Sequence, residues 1–441
     1  KRNLKEYWWR KNVQEREDVV GMDGSILTHN SVLVASGHVG GFSDPMCDCL
    51  LTKERLRADQ VPAQSGMGFF YTGAAKKDGS WNIEKKYSVL VESEKQADKA
   101  RKTAAQYYAQ LAGKDASYKD MELKGECMET VTDSTMYNPA NGSLLTEARE
   151  FNLMFKTTIG ATSDENDPNA TGWLRPETAQ SIFCQYKNIL DSSRVKLPFG
   201  IAQIGKSFRN EINPRNFTFR SREFEQMEIE YFCRPEDGLR LVDEWLEHRL
   251  CFYDEVGVPR EHIHILDVPD GERAFYSKKT YDLEYEFPFG IQELEGIAYR
   301  TDYDLSCHQK GSGRPLEYFD EETREKFIPH VVEPSAGCDR TILAIICEAY
   351  DEEELVDDKG KKDVRTVLRF VPRMAPIKAA IFPLLKKNGE QVRIAREIEK
   401  TLQPWMSVFY DETGAVGRRY RRQDEVGTPV SYTHLRAHET D

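Results

Sequence analysis

The chain has 441 residues and a formal net charge of -13; it is 39% hydrophobic and 31% charged. That is the composition of a soluble globular protein with ample core, long enough for two or three domains, and no apolar run approaches the roughly 18 residues of a membrane span. The acidic balance argues against bulk electrostatic binding of nucleic acid but leaves room for a local basic patch.

Residues 1–20 read as helical, and the pattern (LKEYWWRKNVQ) is already under way at Lys1, so the chain reads as a fragment lacking its true start. No signal peptide is visible. Residues 21–57 mix short apolar runs with Gly-rich turns. Cys47 and Cys49 could begin a zinc site, but no CxxC pair follows, and two ordinary thiols explain them as well. The nine Cys show no disulfide-framework spacing, which fits a reducing, cytoplasmic compartment. Residues 92–113 predict a polar, Ala-rich helix on a surface insertion, 59–150. Residues 115–150 read as irregular, and Thr162 to Gly172 as a loop. Arg175 to Leu190 predicts a helix with Pro176 near its first position. Strands are expected around 200–232, an amphipathic helix over 234–257, and strands over 281–290 and 292–305. EPSAGCDRTILAIICEAY, from Glu333, predicts a helix. Asp351 to Asp363 reads as a solvated loop. A boundary is expected at Pro372 to Pro376. Beyond it, IKAAIFPLL, REIEKTLQP and MSVFYDET begin an α/β domain that the chain ends too soon to complete. Ser431 to Asp441 continues no pattern and reads as a foreign tail.

Phe208 to Phe232 (FRNEINPRNFTFRSREFEQMEIEYF) reads as two strands and a loop dense in Arg and Glu. Side chains alternate between the faces of a strand. Gln203, Arg209 and Glu211 therefore share one face of the first strand, opposite Ala202, Ile204 and Phe208. In the second strand Arg222, Phe224, Gln226, Glu228 and Glu230 share a face opposite Met227, Ile229 and Tyr231. The loop adds Arg215, Arg220 and two Phe. A solvated face with cross-strand ion pairs would account for this. So would a site for a nucleotide and an amine, in which Arg neutralises phosphate, Phe stacks on a base and Glu binds an ammonium.

FRNE, a loop and REFEQMEIEYF resemble motif 2 of the class II aminoacyl-tRNA synthetases, in the form carried by the glycyl-tRNA synthetase family. LRPETAQ, LPFGIAQIGK, ELEGIA, RTDYDL and EPSAGCDR are similar to further strings of that family, over about Lys1 to Val430. The resemblance implies an α+β fold: an antiparallel sheet flanked by helices over 1–371, followed by an incomplete α/β anticodon-binding domain over 376–430. It implies ATP-dependent activation of glycine, with Mg²⁺, and transfer to tRNA(Gly) by a cytoplasmic homodimer that has no membrane association.

The resemblance also assigns roles. Arg209 matches the contact to the α-phosphate and the glycine carboxylate, and Arg340 the contact to the γ-phosphate. Glu211 matches the reader of the adenine amino group, Phe224 the ring stacked on adenine, and Arg220 and Arg222 loop positions near the triphosphate. Glu293 and Leu294 match a segment where a carboxylate would hold Mg²⁺. Asn210, Phe219, Ser221, Glu223, Gly337, Cys338 and Asp339 fall in the same ATP-contacting stretches. Glu177, Glu228, Glu333 and Ser335 match positions around the glycine ammonium, and Arg57 a further substrate contact. Phe224, Glu225, Gln226, Met227, Pro334, Ala336 and Gly337 complete the glycine-contacting stretches. No role falls to the Cys residues or to His29, His38, His308 and His330, and no residue is assigned to a resident metal centre. Gly417 to Gly427 (GRRYRRQDEVG) supplies local positive charge for tRNA phosphate; a solvated turn is the plainer alternative. Departures from the family pattern are Asn30 where Pro is common, Ser181 where Gly is common, and Cys338 at a usually apolar spot. A synthetase for serine, threonine or proline is disfavoured by the acidic set. A non-enzymatic relative would not need Arg209, Glu211 and Arg340 together.

Overall fold

The computed structural model describes residues 1–113, 116–160, 170–356, 360 and 362–434. The chain divides into two compact units, one of residues 1–39, 154–209 and 214–441, the other of residues 40–153 and 210–213.

The first unit is built on a seven-stranded sheet. Its strands are β1 (Val19–Gly21), β2 (Phe199–Phe208), β3 (Glu223–Cys233), β4 (Ile263–Asp267), β5 (Lys279–Phe287), β6 (Gly290–Thr301) and β7 (His330–Gly337). The spatial order is β1-β2-β3-β7-β6-β5-β4. Only β1 pairs in parallel, with β2; every other pairing is antiparallel. The helices around it are α1 (Arg2–Trp9), α2 (Ala179–Ser193), α3 (Gly238–Val256), α4 (Tyr303–Ser312) and α5 (Cys338–Ala349).

The period of two along each strand decides what each face meets. Ala202, Met227, Ile229, Tyr231, Ile297, Tyr299 and Ala336 pack with Leu4, Tyr7 and Trp8 of α1, Leu241, Trp245 and Phe252 of α3, and Ala344 and Ile345 of α5. Buried residues such as Ile229 and Phe252 each contribute about 1.5–3 kcal/mol of transfer free energy. On the other face Ile201, Phe232 and Val331 meet Ile182, Phe183 and Tyr186 of α2 and Leu305 of α4. The rest of that face is polar and carries the site. Helix α3 stops at Gly257, whose φ of +92° lets its N–H reach the carbonyls of Asp254 and Tyr253.

Several elements differ from the sequence expectation. Helix α2 begins at Ala179 rather than beside Pro176. EPSAG belongs to β7, and its helix starts only at Cys338; conversely the DYDL of RTDYDL lies in or next to α4, not in a strand. Asp351 to Asp363 lies not in a loop but in an antiparallel hairpin of Tyr350–Val356 and Lys362–Leu368, with 357–359 and 361 outside the described residues. Its charges pair across the strands, Glu353 with Arg365 and Asp351 with Arg369, and that is why a polar segment becomes regular. Of the expected loop from Thr162, residues 162–169 lie outside the described residues, and Thr171 already starts a strand.

After Pro376, Ala379–Pro383 lies between parallel strands Val408–Tyr410 and Val430–His434, with helices Gly389–Leu402 and Val416–Val426. The stretch from Ser431, expected to add nothing to the fold, therefore supplies four residues to this sheet; 435–441 lie outside the described residues.

In the second unit, Gln64–Tyr71 pairs with Cys127–Ser134 and Tyr87–Val91, and Ser43–Asp48 with Arg55–Arg57 and Arg149–Asn152. The stretch 116–150 is thus not irregular throughout: 121–124, 127–134 and 149–150 are strand, and 137 and 143–145 form bridges. The helix Ala97–Ala112 is not merely a surface element, since Ala100, Ala104, Tyr107 and Tyr108 are buried. Its small residues allow close approach, and the Tyr107 and Tyr87 rings stack with centroids 3.9 Å apart. Among the described residues, no helix is long and apolar enough to cross a membrane.

Candidate active site

The polar face is laid out by strand register. Gln203 of β2 lies opposite Glu228 of β3, and Glu228 lies opposite Ser335 of β7. The hydroxyls of Ser335 (2.8 Å) and Thr178 both donate to the Glu228 carboxylate. Gln226 donates to Ser335 and accepts from Ser207, and Gln203 donates to the Thr178 carbonyl. From β6, Arg300 reaches Glu333 through one nitrogen (2.9 and 3.0 Å) and Asp304 of α4 through two others (2.7 and 2.9 Å). The Arg300 guanidinium lies 4.1 Å from the centre of the Tyr276 ring. Gln180 donates to Glu177 and Asp304 and faces His308, while His38 lies 3.3 Å from Glu177.

Glu228, Glu230 and Glu333 are all buried, with ligating oxygens within 4.8 Å of one another. Burial, with Glu333 and Glu177 beside it, pushes the Glu228 carboxyl up to about 8. Burial and the nearby Glu333 raise Glu230 well above the usual carboxylate range. Burial also raises Glu333, against the pull of Arg300. Glu177 goes the other way: burial opposes it, but the His38 imidazole holds it well below that range. The pocket is therefore rich in carboxylate and short of cation, the condition in which an incoming ammonium is bound most strongly.

A second cluster lies at the loop end of the hairpin. The Arg209 guanidinium sits 5.4 Å from the Phe224 ring centre, and its Nε donates to the Pro176 carbonyl. Arg340 stacks on the Phe219 ring at 4.3 Å and donates to the Glu293 carbonyl at 3.1 Å. A Cβ added at Gly296 would lie 3.7 Å from Asp282 Oδ1 and 3.9 Å from Glu293 Oε1, so two carboxylates converge over this glycine. Burial, with Glu293 and Glu284 nearby, pushes Asp282 up to about 6. Arginines, an aromatic ring and a carboxylate pair beside an acidic pocket can hold a polyphosphate, a base, a divalent cation and an amine on one face.

The profile described as tRNA synthetase class II core domain (G, H, P, S and T) matches residues 156–350. The glycine-tRNA ligase of Rhodopirellula baltica is 44% identical over 475 residues, covering 98% of this chain and 85% of that protein. That of Clostridium perfringens is 46% identical over 434 residues, covering 98% and 82%. The chain belongs to the glycine-tRNA ligase family. In this ligase chain the motif strings read from the sequence all fall in or next to the elements that border the two clusters.

The ligase fold separates the expected site residues into groups. Glu177, Glu228, Glu333 and Ser335 come together in the acidic pocket, with Gln226 beside them. In the second cluster Arg209 meets Phe224, and Arg340 meets Phe219 and Glu293. Strand alternation, and for Cys338 and Asp339 the start of α5, turns other expected side chains away. Glu225 points to α1, where it pairs with Lys1 and Lys5. Met227, Leu294, Ala336 and Cys338 are buried in the core under the sheet. Asp339 accepts from Lys1 and from the Glu225 N–H. None of these six lines the pocket with its side chain. Gly337 lies opposite Gln226, and Pro334 is buried. Glu223 pairs with Lys206, and the Ser221 hydroxyl donates to the Glu223 carbonyl. Arg220 bridges to Arg215 across the loop. Arg57, Asn210 and Glu211 belong to the second unit, where Arg57 pairs with Asp44 and Asp59.

Sequence reading missed Arg300, Asp304, Thr178, Gln180, His38 and Glu230 as pocket residues. RTDYDL held a signal, an Arg and an Asp four apart, but their meeting depends on the turn from β6 into α4. Of the departures, Asn30 accepts from the Trp173 indole and Ser181 donates to the Thr178 carbonyl. In the basic run, Arg419 is buried and bonded to the carbonyls of Pro383, Glu412 and Gly414, and Arg422 pairs with Asp411. Those two arginines are tied into the fold; of the four, Arg419 alone is buried, and Arg418, Arg421 and Arg422 are exposed.

Proposed function

We infer that the chain joins glycine to tRNA(Gly), first forming glycyl-adenylate and pyrophosphate from glycine and ATP, then transferring the glycyl group to the 3′-terminal ribose. The observation that carries this is the buried acidic pocket of Glu177, Glu228 and Glu333 lying on the same sheet face as Arg209 and Phe224. Adenylate formation needs in-line attack of a carboxylate on the α-phosphate, so the protein's part is to position both substrates and neutralise charge. Arg209 holds the α-phosphate and the glycine carboxylate together, with adenine on Phe224. Arg220 and Arg222 flank the triphosphate, and Arg340 takes the γ-phosphate. The glycine ammonium enters the acidic pocket, and a side chain would add bulk where the walls are already packed.

Class II synthetases use ATP and divalent metal ions. Asp282 and Glu293 converge over Gly296 and have the hard oxygen donors that suit Mg²⁺. Bound there, the ion would neutralise phosphate oxygens; Arg340, held against Glu293, would then face the same phosphates. The ligase acts as a homodimer, a reading supported by exposed Ile26, Leu27 and Val34 beside the short helix Asn30–Ala35. A cytoplasmic setting is supported by nine cysteines that are all unpaired thiols.

The test is amino-acid-dependent ATP–pyrophosphate exchange with glycine, alanine and serine. Exchange with glycine alone is expected. Equal exchange with serine, or none with any amino acid while ATP still binds, would sink the assignment.

A further inference from the structure

Glu230 is the one pocket carboxylate without a settled partner. It is fully buried, and among the described residues neither of its oxygens has a hydrogen-bond partner. Its neighbours differ. Glu228 accepts from two hydroxyls, and Glu333 is held by Arg300. A buried charge without donors is costly, so such a group keeps its proton. Yet its oxygens lie within the same 4.8 Å of ligating atoms on Glu228 and Glu333. Three acceptors no farther apart than that can all be met by one nitrogen at ~2.8 Å from each, the ordinary hydrogen-bond length. An ammonium has three N–H donors to meet them.

Resting on the reading of this pocket as the amino-group subsite for glycine, we propose that Glu230 is a further carboxylate of it beside Glu177, Glu228 and Glu333, protonated before substrate arrives and ionised when the ammonium enters. The proton leaves to solvent, and the cation takes its place. The charged and titratable groups facing Glu230 leave little else to compensate it. Glu228 is on its own strand, Glu333 on β7, Arg300 on β6 and Asp304 and His308 on α4. Glu177 lies just before α2 with His38 against it, and Tyr276 lies under Arg300. Arg300 is shared between Glu333 and Asp304. From β2, Glu230 is opposed only by Ile201. Glycine affinity should then rise with pH by up to about tenfold per unit through the near-neutral range.

The experiment is calorimetric titration of the full chain with glycine near neutral pH, in buffers of different ionisation enthalpy, alongside a separate ATP titration. Release of close to one proton per glycine is expected. The Glu230→Gln chain should bind glycine on the order of 10- to 100-fold more weakly, release fewer protons per glycine than the unaltered chain and bind ATP as before. Glycine binding without proton release in the unaltered chain overturns the role of Glu230, whatever the variant does. So does a variant that releases as many protons per glycine as the unaltered chain, which would place the proton on Glu228. A chain that binds ATP but not glycine overturns the pocket reading itself, and this inference with it.

Discussion

Strand β6 carries two buried charges that face opposite ways and belong to different kinds of site. Glu295 turns to the helix layer and meets Arg249 of α3 at 2.6 Å, with both side chains at 1% exposure or less. Arg249 also lies 4.2 Å from the Phe252 ring centre. Arg300, five residues on, turns to the polar face and meets two carboxylates while three more stand near. The first site is balanced, one cation to one anion. The second has a surplus of acid that only a proton or an incoming cation relieves. Burial and charge alone do not separate structure from function here; the balance of charge does.

Predictions follow from breaking each side. Arg209→Ala should lower glycine-dependent exchange by about 10²–10³-fold, the usual loss for one transition-state donor, with circular dichroism unchanged; normal exchange would remove Arg209 from the chemistry. Arg249→Met should cost about 3–5 kcal/mol of stability, because Glu295 is left buried and unpaired. In urea unfolding, the double variant Arg249→Met with Glu295→Leu should regain most of that. If the double variant were as unstable as the single one, the balanced-pair reading would fail. Arg300→Met should act on both sides of the comparison, lowering stability and raising the KM for glycine well above that for ATP.

The surplus also has a pH signature. Burial, with Glu333 and Glu177 beside it, lifts Glu228 from 4.5 to about 8, so the native chain holds protons that the unfolded chain releases. Its contribution is present at acidic pH and is lost as pH rises from about 4.5 towards 8. The melting temperature without glycine should fall over that window, and saturating glycine should oppose the fall. Glu177, held low beside His38, contributes in the reverse sense, losing its stabilisation as pH drops below the usual carboxylate range. A Glu228→Gln chain with an unchanged pH profile would remove Glu228 as the source. The smallest effect should come from Glu354→Ala, whose exposed pair with Lys362 is expected to leave the melting temperature unchanged within error.

The charged hairpin, the amphipathic α3 and the motif strings were legible because each depends on residues close in sequence. Arg249 and Glu295 were not, since an Arg on a helix and a Glu on a strand read as wet until their faces are known. The hairpin of 350–356 and 362–368 was hidden for a related reason: among its described residues, Glu353 and Arg365 are paired across the strands, which the sequence alone does not show.

The sequence by itself determined the family and the period-two pattern that puts Glu228 and Glu230 on one face and Met227 and Ile229 on the other, because side-chain alternation is a local property of a strand. Only the tertiary structure decided that this face is buried, that β7 brings Glu333 beside Glu228, and that Arg300 is shared and Glu230 left without a donor. Those facts depend on which strands pair and which helices cover them, and so on contacts between residues far apart along the chain.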